Sequence, residues 1–434
     1  MLYNWLTFQL LMWLIFALLV TLSTKVLFEK YIDFTEVQVF EGATTYPVIL
    51  VARNTPEFKE YFSYVKVAKH LQNSFIDIDS IDLVNVSQSS LNLMSWNFHS
   101  INENKLLNKI IKFKSVKEQF GKCFRGIVTG FNDAFIVDKK TKNKLENAHN
   151  SSKELIKPFF EGKDLSKWNS SDKSKFIIFT RRGTEIDKFP AIKQYLETNR
   201  ERLTPKNSPD IKIGRKAGPY KWFEIQDSVD YYKTFESAKI TWPNLQSGNK
   251  FSLDLSGYYI NAPSVVLPSG NKVLLSILNS KITWFFLKSV CVMRSGGYIE
   301  VKPQYFEQIP IPDFTENKKL DEATNHIINL TKDFQQKNQR FIKRTKDTFD
   351  IQKTSKKLNS FYDFDFKTFL AELKKQKITL SLHQQDEWED YFTTYKTEIN
   401  HLQTQITQTD NEIDQMVYAL YGLTDAEIAI VEGG

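Results

Sequence analysis

Four hydrophobic patterns succeed one another along the chain. Residues 5–22, WLTFQLLMWLIFALLVTL, are an uncharged apolar run, long enough to cross a bilayer as a helix. No Lys or Arg precedes it, as one would in a secretory signal. The next stretch, YIDFTEVQVFEGATTYPVILVARN, reads as part of an α/β sheet. It predicts a short strand near Tyr31–Phe34, a turn at Gly42 and an apolar strand from Tyr46 to Ala52. Residues 58–95 mix short helical and polar pieces, and the Ser/Asn-rich VNVSQSSLNLMSWN reads as a linker.

From about 96 to 315, short aromatic and β-branched runs alternate with Gly, Pro and Asn turns. KFIIFTRRG, KWFEI, KITWPNL, YYINAPSVVLP and YIEVKP all read as strands of a β-rich domain. FRGIVTGFNDAFIVDKK (124–140) reads as a hairpin turning at Gly130–Asp133. KVLLSILNSKITWFFLKSV (272–290) reads as one helix, because Leu274, Leu278, Ile282 and Phe285 recur every three or four positions.

Pro310 and Pro312 in QIPIPDFTENKK then interrupt both helix and strand. Beyond them Leu320, Ala323, Ile327, Leu330, Phe334 and Phe341 form a near-heptad seam, predicting a helix over about 316–347, roughly 45 Å long. After a break near Asn359, Ile399, Leu402, Ile406, Ile413, Val417 and Leu420 form a second seam. Two such helices pack most simply as an antiparallel arm. Thr424 and Glu427 have capping-box spacing and predict a last short helix.

Charge changes this picture. The net charge is +7, but residues 99–250 hold 31 Lys+Arg against 18 Asp+Glu, so that span carries +13 and the remainder −6. This asymmetry points to one region facing a polyanion, although Lys- and Asn-rich usage also reflects genome base composition. The two cysteines, Cys123 and Cys291, exclude a disulfide framework and fit a reducing, cytoplasmic setting. The six histidines are scattered, and no Cys/His cluster has metal-ligand spacing.

Catalytic motifs are missing. No two of the 16 glycines stand two apart, no P-loop pattern occurs, and no two of the 13 prolines are adjacent. The fragments Asp138/Lys140 and Asp210/Lys212 match the D-x-K of nuclease sites, a pattern that chance supplies in a lysine-rich chain. Asp133 and Asp164 read as turn caps before they read as general bases. No catalytic or metal-binding residue is assigned.

What the basic span does offer is cations and planar side chains in turns. Arg181 and Arg182 follow a strand. Lys212, Arg215 and Lys216 precede Lys221 and Trp222; Lys239, Trp242, Asn244 and Gln246 form another turn; Arg294 and Tyr298 flank a glycine pair, with Lys302 close behind. Arg and Lys suit phosphate and guanine, and Asn and Gln suit adenine. Each is equally readable as a solvated loop residue; together with Arg125 they favour nucleic acid.

The succession FRGIVTGFNDAFIVD, LIKPFFEGKDL, GRKAGPYKWFEI, SAKITWPNL, LLSILNSKITWFFL and RSGGYIEVKPQYFEQIPIPDF resembles the TaqI-like C-terminal specificity domain. That is the target-recognition domain of adenine-specific DNA methyltransferases and type IIG restriction–modification enzymes. The ending EIDQMVYALYGLTDAEIAIVE looks like that of larger members, and YIDFTEVQVFEGATTYPVILVAR is similar to the last strands of their methyltransferase sheet.

The resemblance implies an α+β chain: a leader at 1–27, a methyltransferase-sheet remnant plus linker at 28–95, a target-recognition domain at 96–315 and a helical region at 316–434. It implies double-stranded DNA as partner. The family's glycine loop for S-adenosylmethionine and its Asn/Asp-Pro-Pro-aromatic motif are both missing here. Any methyl transfer therefore requires a separate polypeptide carrying the catalytic half, and no cofactor is expected on this chain. The resemblance also recasts residues 1–27 as a feature of a truncated start and not a membrane anchor. Two other readings stand beside it: a membrane-anchored interaction protein using the coiled arm, and a single-strand or RNA binder using aromatic stacking.

Overall fold

The computed structural model describes residues 26–34, 37, 39–40, 47–55, 60–67, 83–88, 98–170, 174–294, 296–314 and 317–433. The apolar run at 5–22 and the turn at Gly42 lie outside them. Among the described residues no single helix is long and apolar enough to cross a membrane.

The first sheet places β1 (Leu27–Asp33) between β2 (Val48–Arg53), antiparallel, and β3 (Tyr61–Lys66), parallel. Its fourth strand, β4 (Val84–Ser87), pairs antiparallel with β3 in the segment expected to be a linker. Val84 and Val86 alternate with polar residues, and Val86 is buried against Phe28 and Phe62. Two valines on one face outweighed the Ser/Asn composition. Gln88 fastens the edge: its side chain accepts from the Phe28 N–H at 3.0 Å and donates to the Val26 carbonyl at 2.6 Å.

The middle of the chain builds two four-stranded sheets that share the sequence unevenly. One runs β11 (Ser252–Asp254), β9 (Lys239–Trp242), β13 (Val265–Leu267), β5 (Phe124–Arg125); the other runs β12 (Tyr259–Ile260), β7 (Ile156–Phe160), β8 (Lys175–Ile178), β6 (Ile136–Asp138). The segment 124–140 is therefore not a hairpin. Its first strand pairs with β13 and its second with β8, so the chain crosses between sheets, through a short helix at Asn132–Phe135. Gly126 makes the crossing possible: a Cβ there would stand 2.4 Å from the Asn261 backbone. KWFEI (221–225) is a turn, not a strand. A third, small sheet sets β15 (Tyr298–Glu300) between β10 (Leu245–Gln246) and β14 (Val292–Arg294).

The larger core gathers the β9 sheet, α1 (Ile101–Ile110), α2 (Lys272–Asn279) and α3 (Lys281–Val290). The single helix expected over 272–290 is two, bent by 63° at Ser280. The Asn279 side chain accepts from the Phe251 N–H at 3.1 Å and donates to the Phe251 carbonyl at 2.9 Å, holding the end of α2 against the start of β11. Ser280 is extended, and the Asp414 carboxylate accepts from the Lys281 N–H at 2.9 Å to start the next helix.

The long helices are α4 (Lys318–Phe349) and α5 (Leu382–Leu420). They run antiparallel, with Lys337 on Glu398 at 2.6 Å and Phe341 packed on Tyr391 and Phe392. α5 begins well before the seam seen in the sequence, because its outer part packs instead on an aromatic knob formed by residues 350–381, where Phe341, Phe361, Phe369 and Phe392 meet. The inner ends enter the larger core through Leu320, Ile327, Ile413 and Val417. Lys167–Asp410 at 2.6 Å and Tyr421 to the Pro310 carbonyl at 2.6 Å tie them to the sheets. α6 (Asp425–Glu432) starts with the expected Thr424–Glu427 capping box.

Asp414 is 3% exposed, and burial, with Asp410 nearby, pushes its carboxyl up to about 6. Its folded value lies above its unfolded one, so its contribution to stability is complete below about pH 4 and is lost as pH rises to about 6. Asp414→Asn keeps an acceptor for the Lys281 N–H without the buried charge. Chemical denaturation at pH 7.5 should show the variant more stable, on the order of 1–2 kcal/mol, and the advantage should vanish near pH 4.

Candidate nucleic-acid interface

Arg215 lies within the basic span and is only 3% exposed. No carboxylate lies within ion-pair distance of it among the described residues. Its charge is met by backbone carbonyls: Nε donates to Leu203 at 2.7 Å, one terminal nitrogen to Thr129 at 2.7 Å, and the other to Trp222 at 2.9 Å. The ring of Tyr220 lies 4.6 Å from the guanidinium. Burial lowers its pKa to about 10, so it remains a cation at neutral pH. Gly130 makes room for it: a Cβ at that residue, where φ is +78°, would stand 2.8 Å from the Arg215 Cδ.

A second clamp joins Arg182 to Glu224. Arg182 donates to the carbonyls of Ile225 and Gln226. The buried Glu224 carboxylate accepts from the N–H groups of Gly183 at 3.2 Å and Lys221 at 2.9 Å. The loops at 181–183 and 204–226 are thus one rigid piece. Its surface carries further arginines laid on aromatic rings: Arg181 over Tyr232 at 4.8 Å, Arg200 over Trp222 at 5.0 Å, and Arg202 over Phe131 at 4.3 Å. Such stacking fixes a guanidinium plane; the edge of Arg200 is taken by Glu197 at 2.6 Å. Arg200 and Arg202 escaped the sequence reading. Their one signal was the R-x-R spacing beside a turn, which ordinary surface helices share.

The expected residues divide by burial. Lys212, Lys216 and Lys221 are exposed on the 204–226 loop. Arg125 is exposed but paired with Asp227. Arg182 and Arg215 are clamps, and Trp222 is the half-buried platform under Arg200. Trp242 and Gln246 are corrected: both are fully buried and have no surface to offer a base. Trp242 stacks on Phe306 at 3.9 Å and donates to the Val301 carbonyl at 3.0 Å; Gln246 accepts from the Lys250 N–H at 2.7 Å. Lys239, too, is buried, on Asp254 at 2.6 Å.

Asn244, Arg294, Tyr298 and Lys302 come together elsewhere, on and beside the small three-stranded sheet. There Glu300 takes both Arg294 at 2.8 Å and Lys302 at 2.6 Å. Among the described residues no group of three His, Cys, Asp or Glu could hold a metal ion.

Residues 157–311 match the TaqI-like C-terminal specificity domain. Residues 314–417 match a domain of unknown function, DUF8810. No curated protein sequence matches. Among solved structures, the chain is similar to the type IIL restriction–modification enzyme MmeI in complex with DNA. The identity is 12% and the TM-score 0.49, over 95% of this chain and 46% of that one. It is similar also to the type IIG restriction endonuclease BpuSI, at 12% identity and TM-score 0.35, over 94% and 45%. The chain spans less than half the length of either.

Arg215→Met should cost about 3 kcal/mol or more in chemical denaturation, because three buried carbonyls lose their donor. Arg215→Lys should fall between, since one ammonium cannot span those carbonyls. Lys216→Ala, exposed on the same loop, should stay within about 0.5 kcal/mol of the parent.

Proposed function

We propose that this chain is the DNA target-recognition part of a site-specific, adenine-directed DNA methyltransferase or type IIG restriction–modification system, working in the cytoplasm on double-stranded DNA. The observation that carries the reading is the rigid 181–226 surface inside a TaqI-like specificity domain. It places Lys212, Lys216 and Lys221 outward on a frame held by Arg182, Glu224 and Arg215. Cations so placed take phosphates, and the arginine edges of Arg181 and Arg202, with that of Arg200 once released from Glu197, reach toward bases. The small sheet with Arg294, Tyr298 and Lys302 is a second contact, one that first requires release from Glu300.

The residues of this chain do not fit S-adenosylmethionine: it has neither the two-apart glycines of the cofactor loop nor the paired prolines of the adenine pocket. We assign cofactor binding and methyl transfer to a separate polypeptide that completes the system, with this chain supplying the address.

The test is duplex binding across a salt series. The chain should bind duplex DNA with log Kd rising linearly in log salt. Changing Lys212, Lys216 and Lys221 together to Ala should flatten that slope by about 3 and weaken all sequences alike. Equal or tighter binding of RNA or single strands at the same salt would overturn the duplex assignment.

A further inference from the structure

The loop from Thr204 to Lys216 is closed at its neck and open at its tip. The Arg215 N–H donates to the Thr204 carbonyl and the Lys206 N–H to the Arg215 carbonyl, both at 3.0 Å. The Arg215 side chain then bolts the neck to Leu203, Thr129 and Trp222. Gly214 seals it: φ is +147°, and a Cβ would stand 2.2 Å from the Thr204 carbonyl oxygen. At the tip, the Ile211 N–H donates to the Ser208 carbonyl at 3.1 Å. This loop is preorganised, and what it presents is Ile213, 53% exposed.

Single exposed aliphatic residues are ordinary on protein surfaces. The surroundings set Ile213 apart. Lys206, Lys212, Lys216 and Lys221 are all exposed, and among the described residues none of the four is in an ion pair. The loop's one acid, Asp210, takes the Ser208 hydroxyl. An apolar side chain therefore sits exposed on a bonded support, in a loop whose lysines, Lys206, Lys212 and Lys216, are all exposed. On the major-groove face of a duplex, guanine, adenine and cytosine offer hydrogen-bonding groups, and the one apolar group is the thymine C5-methyl.

We infer that Ile213 is a specificity-determining residue that reads a thymine methyl in the recognised sequence, while the lysines around it hold the flanking phosphates. The inference rests on the duplex-reading assignment above and adds to it a residue and a base. Because the loop is locked by Arg215, the contact needs no ordering of the backbone at binding, so the methyl's contribution is expressed as discrimination.

The experiment first selects a preferred site with the full chain from a randomised duplex pool. Affinities of the parent, Ile213→Ala and Ile213→Leu are then measured at one salt concentration for that duplex and for copies with each thymine replaced by deoxyuridine. Deoxyuridine lacks only the methyl. The parent should lose about fivefold to tenfold at one thymine. Ile213→Ala should be indifferent at that position, and Ile213→Leu should keep most of the sensitivity. The salt slope and thermal midpoint of Ile213→Ala should equal the parent's. Methyl sensitivity that is absent, or that survives unchanged in Ile213→Ala, overturns the inference and leaves duplex recognition standing. A parent chain that enriches no duplex sequence overturns duplex recognition itself.

Discussion

A buried guanidinium with only carbonyls around it is the constraint on which the reading surface depends. Arg215 is out of water, so its hydrogen bonds must all be made inside, and the groups that make them come from three separate parts of the chain. A cation buried without its partners costs far more than any one of these bonds returns. The loop, the crossing at Thr129 and the turn at Trp222 are therefore fixed together or not at all. Arg182 and Glu224 repeat the device a few ångströms along the same surface. Two charged side chains that looked like ligand contacts are the frame, and in the proposed function contacts with a polyanion fall to the lysines and arginines mounted on it.

The frame packs through Leu203, Phe223 and Ile225 on a second core with Phe135 and Phe159, and the larger core has its own fastenings. The bend between α2 and α3 exists because Asn279 is committed to the Phe251 backbone and Asp414 to the Lys281 N–H. Asp414 belongs to α5, so the helical region takes part in shaping the specificity domain and is not merely attached to it. The distal knob has its own aromatic core around Phe341, which keeps the outer ends of α4 and α5 together where the main core no longer reaches.

The long helices were legible because their apolar residues repeat over many turns, and a capping box such as Thr424–Glu427 is local chemistry. Burial of polar and planar residues was not legible. Trp242, Gln246 and Arg215 occur in turns that look exposed, and only the fold shows Phe306, Lys250 and Thr129 arriving beside them. The pairing of β5 and β6 with different sheets was equally hidden: Gly130 and Asn132 fit a hairpin turn, and the close approach of Asn261 to Gly126 is a long-range fact. Of the motif order read at 124–314, residues 157–311 match the TaqI-like specificity domain, a likeness that no single motif carried.

In the proposed function, the surface framed by Arg215 faces duplex DNA. Lysine-selective covalent labelling with mass-spectrometric readout, with and without the preferred duplex, tests it most directly. Duplex should protect Lys206, Lys212, Lys216 and Lys221 while leaving Lys374 and Lys375 on the helical knob as reactive as without it. Protection confined to the knob or the long helices, with the four loop lysines unchanged, would contradict it.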